Sequence, residues 1–138
     1  MDRADLQQIA GLRITEAKVL LDNACYAGAY YLAGYAVECA LKACIAKQTR
    51  RYEFPDKQRV GDSYTHDLTK LVRIAGLKDV LEQEIESDQA LFANWDIVKE
   101  WSEGTRYQTD VSERRSRELY SAITGRKNGV LAWIRQWW

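Results

Sequence analysis

Residues 24–45 read ACYAGAYYLAGYAVECALKACI, 22 residues with only two charges, Glu38 and Lys42, one helical turn apart. Ala29, Ala33, Ala36, Ala40 and Ala43 recur at spacings of four and three, so they share one face of a helix. A row of methyl groups lets a second helix approach closely. Tyr31, Tyr35, Glu38 and Lys42 follow the same spacing and form a polar stripe. The stretch therefore predicts a buried central helix and marks the stripe as the place to look for chemistry. A Glu four residues ahead of a Lys is worth roughly 0.2–0.5 kcal/mol on an exposed helix. On so apolar a helix two readings stand: a structural network in which Glu38 accepts from a tyrosine, from Lys42 or from Arg106, and a ligand-lining stripe.

Working outward, Asp2 to Leu21 carries Leu6, Ile9, Ala10, Ala17, Leu20 and Leu21 at amphipathic spacing, with Asp2 and Asp5 suiting its start. Asp22 and Asn23 mark a tight break before the central helix, which ends near Lys47 and Gln48. Thr49 to Tyr64 holds the only proline, Pro55, with Gly61, and lacks periodicity, so it reads as a long loop made basic by Arg50, Arg51, Lys57 and Arg59. A short helix follows, capped by Thr65, presenting Leu68, Leu71 and Val72, and closed by Gly76. Lys78 to about Ser102 reads as one long helix with Leu81, Ile85, Phe92, Trp95 and Val98 inward and Gly104 beyond its end. Asp110 with Glu113 resembles a capping box and opens a last helix carrying Leu119, Ile123, Val130, Leu131 and Ile134. No convincing strand occurs. The expected fold is all-α: one domain over residues 1–138, an antiparallel up-and-down bundle of four long helices plus one short helix, with a basic loop at about 49–64.

A chain of 138 residues can bury a real core, about 65% of its unfolded surface. Net charge is zero, which removes a general electrostatic case for nucleic acid, but the distribution is uneven. Lys42 to Arg59 holds six basic and two acidic residues, Asp79 to Glu103 eight acidic and one basic, and Gly104 onward seven basic and three acidic. A phosphate-bearing partner would favour the first and last stretches; each also reads as a solvated face. Cys25, Cys39 and Cys44 match no common zinc spacing, and their odd number argues for reduced, buried thiols. The charged start and the short uncharged run before Glu38 predict neither a signal peptide nor a membrane span. A cytoplasmic protein without metal or cofactor is the expectation. Trp95 suits the core, Trp137 and Trp138 suit cover for a neighbouring helix or second subunit, and Arg114, Arg115 and Arg117 could grip phosphates.

Ala29-Tyr30-Tyr31-Leu32-Ala33-Gly34-Tyr35-Ala36-Val37-Glu38, then Leu41-Lys42-Ala43, then His66-x-Leu68-x-x-Leu71 and later Arg106-Tyr107, resembles the HEPN domain family (higher eukaryotes and prokaryotes nucleotide-binding). The likeness spans most of the chain and is most specific on the central helix. It implies a helical bundle, commonly a homodimer, often encoded beside a small nucleotidyltransferase in toxin–antitoxin pairs. Many members are metal-independent ribonucleases; others bind nucleotide or serve in assembly.

Active members resemble one another in an Arg, four to six residues, then a His at the start of a late helix. Here no His follows Arg106, and the sole histidine is His66. Arg59 precedes His66 with six residues between, but falls in the expected loop. Cleaving RNA without metal needs a base for the 2′-hydroxyl proton and a cation for charge developing on the phosphate, roles suited to His and Arg. Three readings follow. The first is a nucleotide- or RNA-associated binding or assembly module with Tyr31, Tyr35, Glu38, Lys42, Arg106 and Tyr107 as ligand residues and a nucleotidyltransferase as candidate partner. The second is a metal-independent endoribonuclease using His66 with Arg106 or Arg59. The third is a helical protein-interaction domain with no nucleic-acid role.

Overall fold

The computed structural model describes residues 1–49 and 57–138. Among these residues eight α-helices and one 3-10 turn occur and no strand. The helices are α1 (Arg3–Asp22), α2 (Tyr26–Gln48), α3 (Lys57–Asp62), α4 (Leu68–Ile74), α5 (Lys78–Ser87), α6 (Gln89–Val98), α7 (Glu113–Thr124) and α8 (Val130–Arg135). The 3-10 turn spans Glu103–Tyr107. No helix among the described residues is long and apolar enough to cross a membrane.

The central segment is the axis of the bundle. Ala29, Ala33, Ala36, Ala40 and Ala43 are all buried, and α2 packs against α1, α7, the 3-10 turn, α4 and α8. Its most extensive partner is α1, which contributes small buried side chains of its own, Ala10 and Ala17. The two form a hairpin through Asn23, Ala24 and Cys25, closed by the Cys25 amide donating to the Leu20 carbonyl at 2.8 Å. Ala24 takes φ 60°, the left-handed position of a helix stop where glycine is the usual residue.

Asp2 starts α1 with a full capping box: the Asp5 amide donates to its carboxylate, and the Asp2 amide donates to Asp5. The helix expected from Lys78 begins there, whereas the caps of two others lie two residues beyond the expected ones. Asp67, rather than Thr65, caps α4 by accepting from the Lys70 amide at 3.0 Å, while Thr65 accepts from the Asp67 amide. Ser112, rather than Asp110, caps α7 by accepting from the Arg115 amide. In each case the residue adjoining the helix wins because a short side chain must reach the third amide of the first turn.

The all-α reading holds, but two expected long helices are interrupted. The segment from Lys78 breaks at Asp88, which leaves helical geometry and caps α6 by accepting from the Leu91 amide. It also ends at Val98, so Gly104 sits inside the 3-10 turn rather than at a helix end. The last helix breaks between Thr124 and Val130, where a Cβ on Gly129 would overlap the Gly125 backbone. One side chain joins the two breaks. The Asn128 side chain donates to the Asp88 carboxylate at 2.7 Å, and the Asn128 backbone carbonyl accepts from the Asn94 side chain at 2.8 Å.

The expected basic loop contains helix α3 at its C-terminal end, so Arg59 lies on a helix; the Arg59 side chain, and Arg50 and Arg51, lie outside the described residues. Trp95, Trp101 and Trp133 are buried. Trp137 and Trp138 are half-buried against the chain's own core, with Trp137 tilted against Trp133 and Arg135 over the Trp138 ring. Cys39 and Cys44 are buried as expected, whereas Cys25 is exposed at the α2 start.

Candidate functional site

Glu38 is the only acidic side chain in the buried core of the described residues, 2% exposed on α2. A carboxylate there must be answered by donors. Two arrive: Lys42 Nζ, one turn along, at 3.2 Å, and His66 Nδ1, 3.0 Å from both carboxylate oxygens. The other ring nitrogen of His66, Nε2, lies 3.1 Å from Glu103 on the 3-10 turn. His66, just before the α4 cap, thus links α2 to the 3-10 turn, with each ring nitrogen facing a carboxylate oxygen. Carboxylates only accept, so a ring N–H that faces either of them donates to it.

The neighbouring packing explains a glycine in mid-helix. A Cβ at Gly34 would overlap the indole of Trp101, which lies directly against it. Glycine inside a helix costs about 0.5–1 kcal/mol, whereas burying an indole of about 150–250 Å² is worth several kcal/mol at roughly 25 cal/mol/Å². The indole wins, and Trp101 becomes the post on which the 3-10 turn is hung. Tyr31 stacks on it, ring centroids 6.1 Å apart and planes 25° apart, and Tyr35 continues the stack at 6.1 Å and 20°. Both tyrosines are half-buried. Burial pushes the Tyr35 hydroxyl above its ordinary value, with the neighbouring Cys39 adding to the shift.

Arg106 and Tyr107 project from the same turn. Both are exposed, Tyr107 by 76%, and the guanidinium lies 4.9 Å from the Tyr107 ring centroid. The Tyr107 hydroxyl holds the Arg106 guanidinium above its ordinary value, with Glu103 and Tyr31 adding to the shift. Glu38's partners are therefore Lys42 and His66, and Arg106, one of the donors expected for it, faces solvent. Tyr31 and Tyr35 lie on α2, and Arg106 and Tyr107 on the 3-10 turn packed against it, with Lys42 partly exposed beside Glu38. The arginines of α7 are occupied: Arg114 pairs with Glu118, Arg117 with Glu113, and Arg115 stacks 4.5 Å from the Tyr30 ring centroid.

His66 and Glu103 also edge a cleft of about 550 Å³ floored by Trp101. Its rim carries Asp67, Glu100 and Glu103 against one cation, Lys99, which pairs with Asp96 at 2.9 Å. Such a rim repels phosphate. No cluster of metal-ligating side chains occurs among the described residues.

Glu103 is the member of this site that sequence reading missed. It closes the acidic stretch that begins at Asp79 and reaches His66 through the turn that follows Trp101, which docks on Gly34. The one available signal was Gly34 itself, a glycine within a helical pattern, which marks close approach.

Comparison with curated proteins and with solved structures gives no match. The HEPN domain family model matches residues 4–137, nearly the whole chain. The buried Glu38, the Gly34 and Tyr35 beside it, His66 and Arg106-Tyr107 thus lie within one continuous match on an all-helical bundle, and the chain belongs to the HEPN domain family.

Proposed function

We propose that this chain is a nucleotide- or single-stranded-RNA-binding module in which Glu38, His66 and Glu103 hold the site together and Tyr31, Tyr35, Arg106 and Tyr107 meet the ligand. The observation that carries this reading is the exposed Arg106–Tyr107 pair on a 3-10 turn that packs against α2, the helix bearing the half-buried Tyr31–Tyr35 stack. Flat phenol faces stack on unpaired bases, and a guanidinium forks onto phosphate oxygens. A structural role for His66 is supported by the carboxylates that face both ring nitrogens and by the acidic cleft beside it.

A salt series tests the reading. Labelled single-stranded RNA and ATP are titrated at rising ionic strength, and affinity falls as salt rises because phosphate contacts release counterions. Absence of binding at low salt would leave the protein-interaction reading in its place. The association expected from the family, a homodimer and a small nucleotidyltransferase partner in a toxin–antitoxin pair, is tested by co-expression and size-exclusion chromatography.

One observation favours a second reading, the endoribonuclease. A buried carboxylate on Nδ1 orients an imidazole so that Nε2 can take a proton, and Glu38 stands in that position. Catalysis would require Glu103 to swing away, Nε2 to take the 2′-hydroxyl proton, and Arg106 to stabilise the phosphate. RNA incubated with the protein in EDTA stays intact under the binding reading. Cleavage lost in His66→Ala would establish the nuclease instead.

A further inference from the structure

We propose that a second cleft, walled by α4, α5 and α6 and about 490 Å³ in volume, binds a small organic anion with an aliphatic body. The volume lies in the ordinary range for small-molecule pockets, about 300–1,000 Å³. Val72, Leu81, Ile85, Phe92 and Trp95 line it, and Phe92 is 50% exposed, which leaves apolar surface for a ligand to cover. These side chains offer no carbonyl or carboxylate acceptor, so they read shape. A nucleobase, whose edges carry donors, would lose hydrogen bonds to water there without replacement. A hydrocarbon chain loses none.

The charge around the cleft selects the other end of the ligand. Lys70, Arg73 and Lys78 stand on its rim, and none takes part in an ion pair among the described residues. Lys99 also lines it but is held by Asp96. Of the two rim carboxylates, Asp67 is committed to capping α4, and Glu82 stands alone against the three unpaired cations. A carboxylate head group answers the cations, while the chain covers Phe92 and its aliphatic neighbours. The cleft adjoins the one beside His66 through Asp67, Thr69 and Lys99, but its lining includes none of Tyr31, Tyr35, Arg106 and Tyr107, so the proposal does not rest on the function proposed above.

Calorimetric titration of the full chain with octanoate, 1-octanol and butyrate is the test. Octanoate is expected to bind saturably at one site, with butyrate and 1-octanol weaker by at least about ten-fold. Arg73→Glu combined with Lys78→Glu, and separately Phe92→Ser, each weaken octanoate at least about ten-fold. Every substituted side chain is exposed, so the unliganded melting temperature serves as the control for folding, and the Phe92 variant reads independently of the charge reversal. The proposal is overturned if octanoate does not saturate, if 1-octanol binds as well as octanoate, or if correctly folded variants bind octanoate like the wild type. Displacement of octanoate by AMP at equal concentration would also overturn it, because the cleft would then be a nucleotide site.

Discussion

Glu38 is the one carboxylate buried among the described residues, 2% exposed on an alanine-rich helix. Removing one partner of a buried ion pair costs about 3–5 kcal/mol, and the partial exposure of Lys42 and His66 lowers this to roughly 2–3 kcal/mol. Glu38→Ala should therefore reduce the melting temperature by roughly 6–12 °C for a domain of this size, and a melt within a degree of the wild type would remove the buried network. Gly34→Ala tests the other half of the site. Its methyl group displaces Trp101, an overpacking cost of about 1–3 kcal/mol, and differential scanning calorimetry of that variant should show a clear loss. That Glu38 needed a partner was legible from one carboxylate on an apolar helix. Which partner was not, because His66 lies 28 positions away and reaches it only through the chain's return past α3.

At the level of elements, periodicity revealed the helices, and competition between side chain and backbone decided where they stop. Asp88 sits inside a pattern that reads as continuous helix, yet its carboxylate prefers the Leu91 amide and the Asn128 side chain. Those hydrogen bonds, first from the backbone amide and then from Asn128, hold the Asp88 carboxyl below the usual carboxylate range. A folded-state value below the unfolded one adds stability that is complete above the unfolded value and is lost as pH falls through the folded one. Thermal melts from pH 6 down through the carboxylate range, below about 4, should show declining stability in the wild type and a shallower decline in Asp88→Asn, which has no group to titrate there. Equal slopes would mean that the Asp88 contacts contribute nothing. The α1–α2 turn offers a stabilising counterpart. Ala24 occupies a left-handed position that costs an L-residue about 1–2 kcal/mol, partly offset by glycine's greater freedom when unfolded. Ala24→Gly should gain about 0.5–1 kcal/mol, read as a higher midpoint in urea with an unchanged slope. The same physics explains why this break was legible only to within a residue or two: Asn23 was a visible signal, but the strained position fell on an alanine.

For the whole molecule, the alanine row of α2 was enough to foresee a central helix enclosed by others, and the family match over residues 4–137 agrees with it. Enclosure has a chemical consequence. Burial pushes the Cys39 thiol up and the Cys44 thiol up to about 11, while Cys25 is exposed. Thiolate is the reactive form, so a thiol-specific reagent at pH 8 should label Cys25 quickly and Cys39 and Cys44 only after denaturation. Rapid labelling of all three in the native protein would show a looser core than the one described. The candidate site was less legible than the core because it depends on the 3-10 turn, whose path is set by Trp101 and His66 rather than by any local pattern. The central claim, that Arg106 and Tyr107 meet a nucleotide or RNA while His66 serves structure, is tested most directly by fluorescence anisotropy with labelled single-stranded RNA. The account expects Arg106→Ala combined with Tyr107→Ala to weaken binding at least about ten-fold, some 1.4 kcal/mol, at an unchanged melting temperature. Wild-type affinity in that double variant would contradict it.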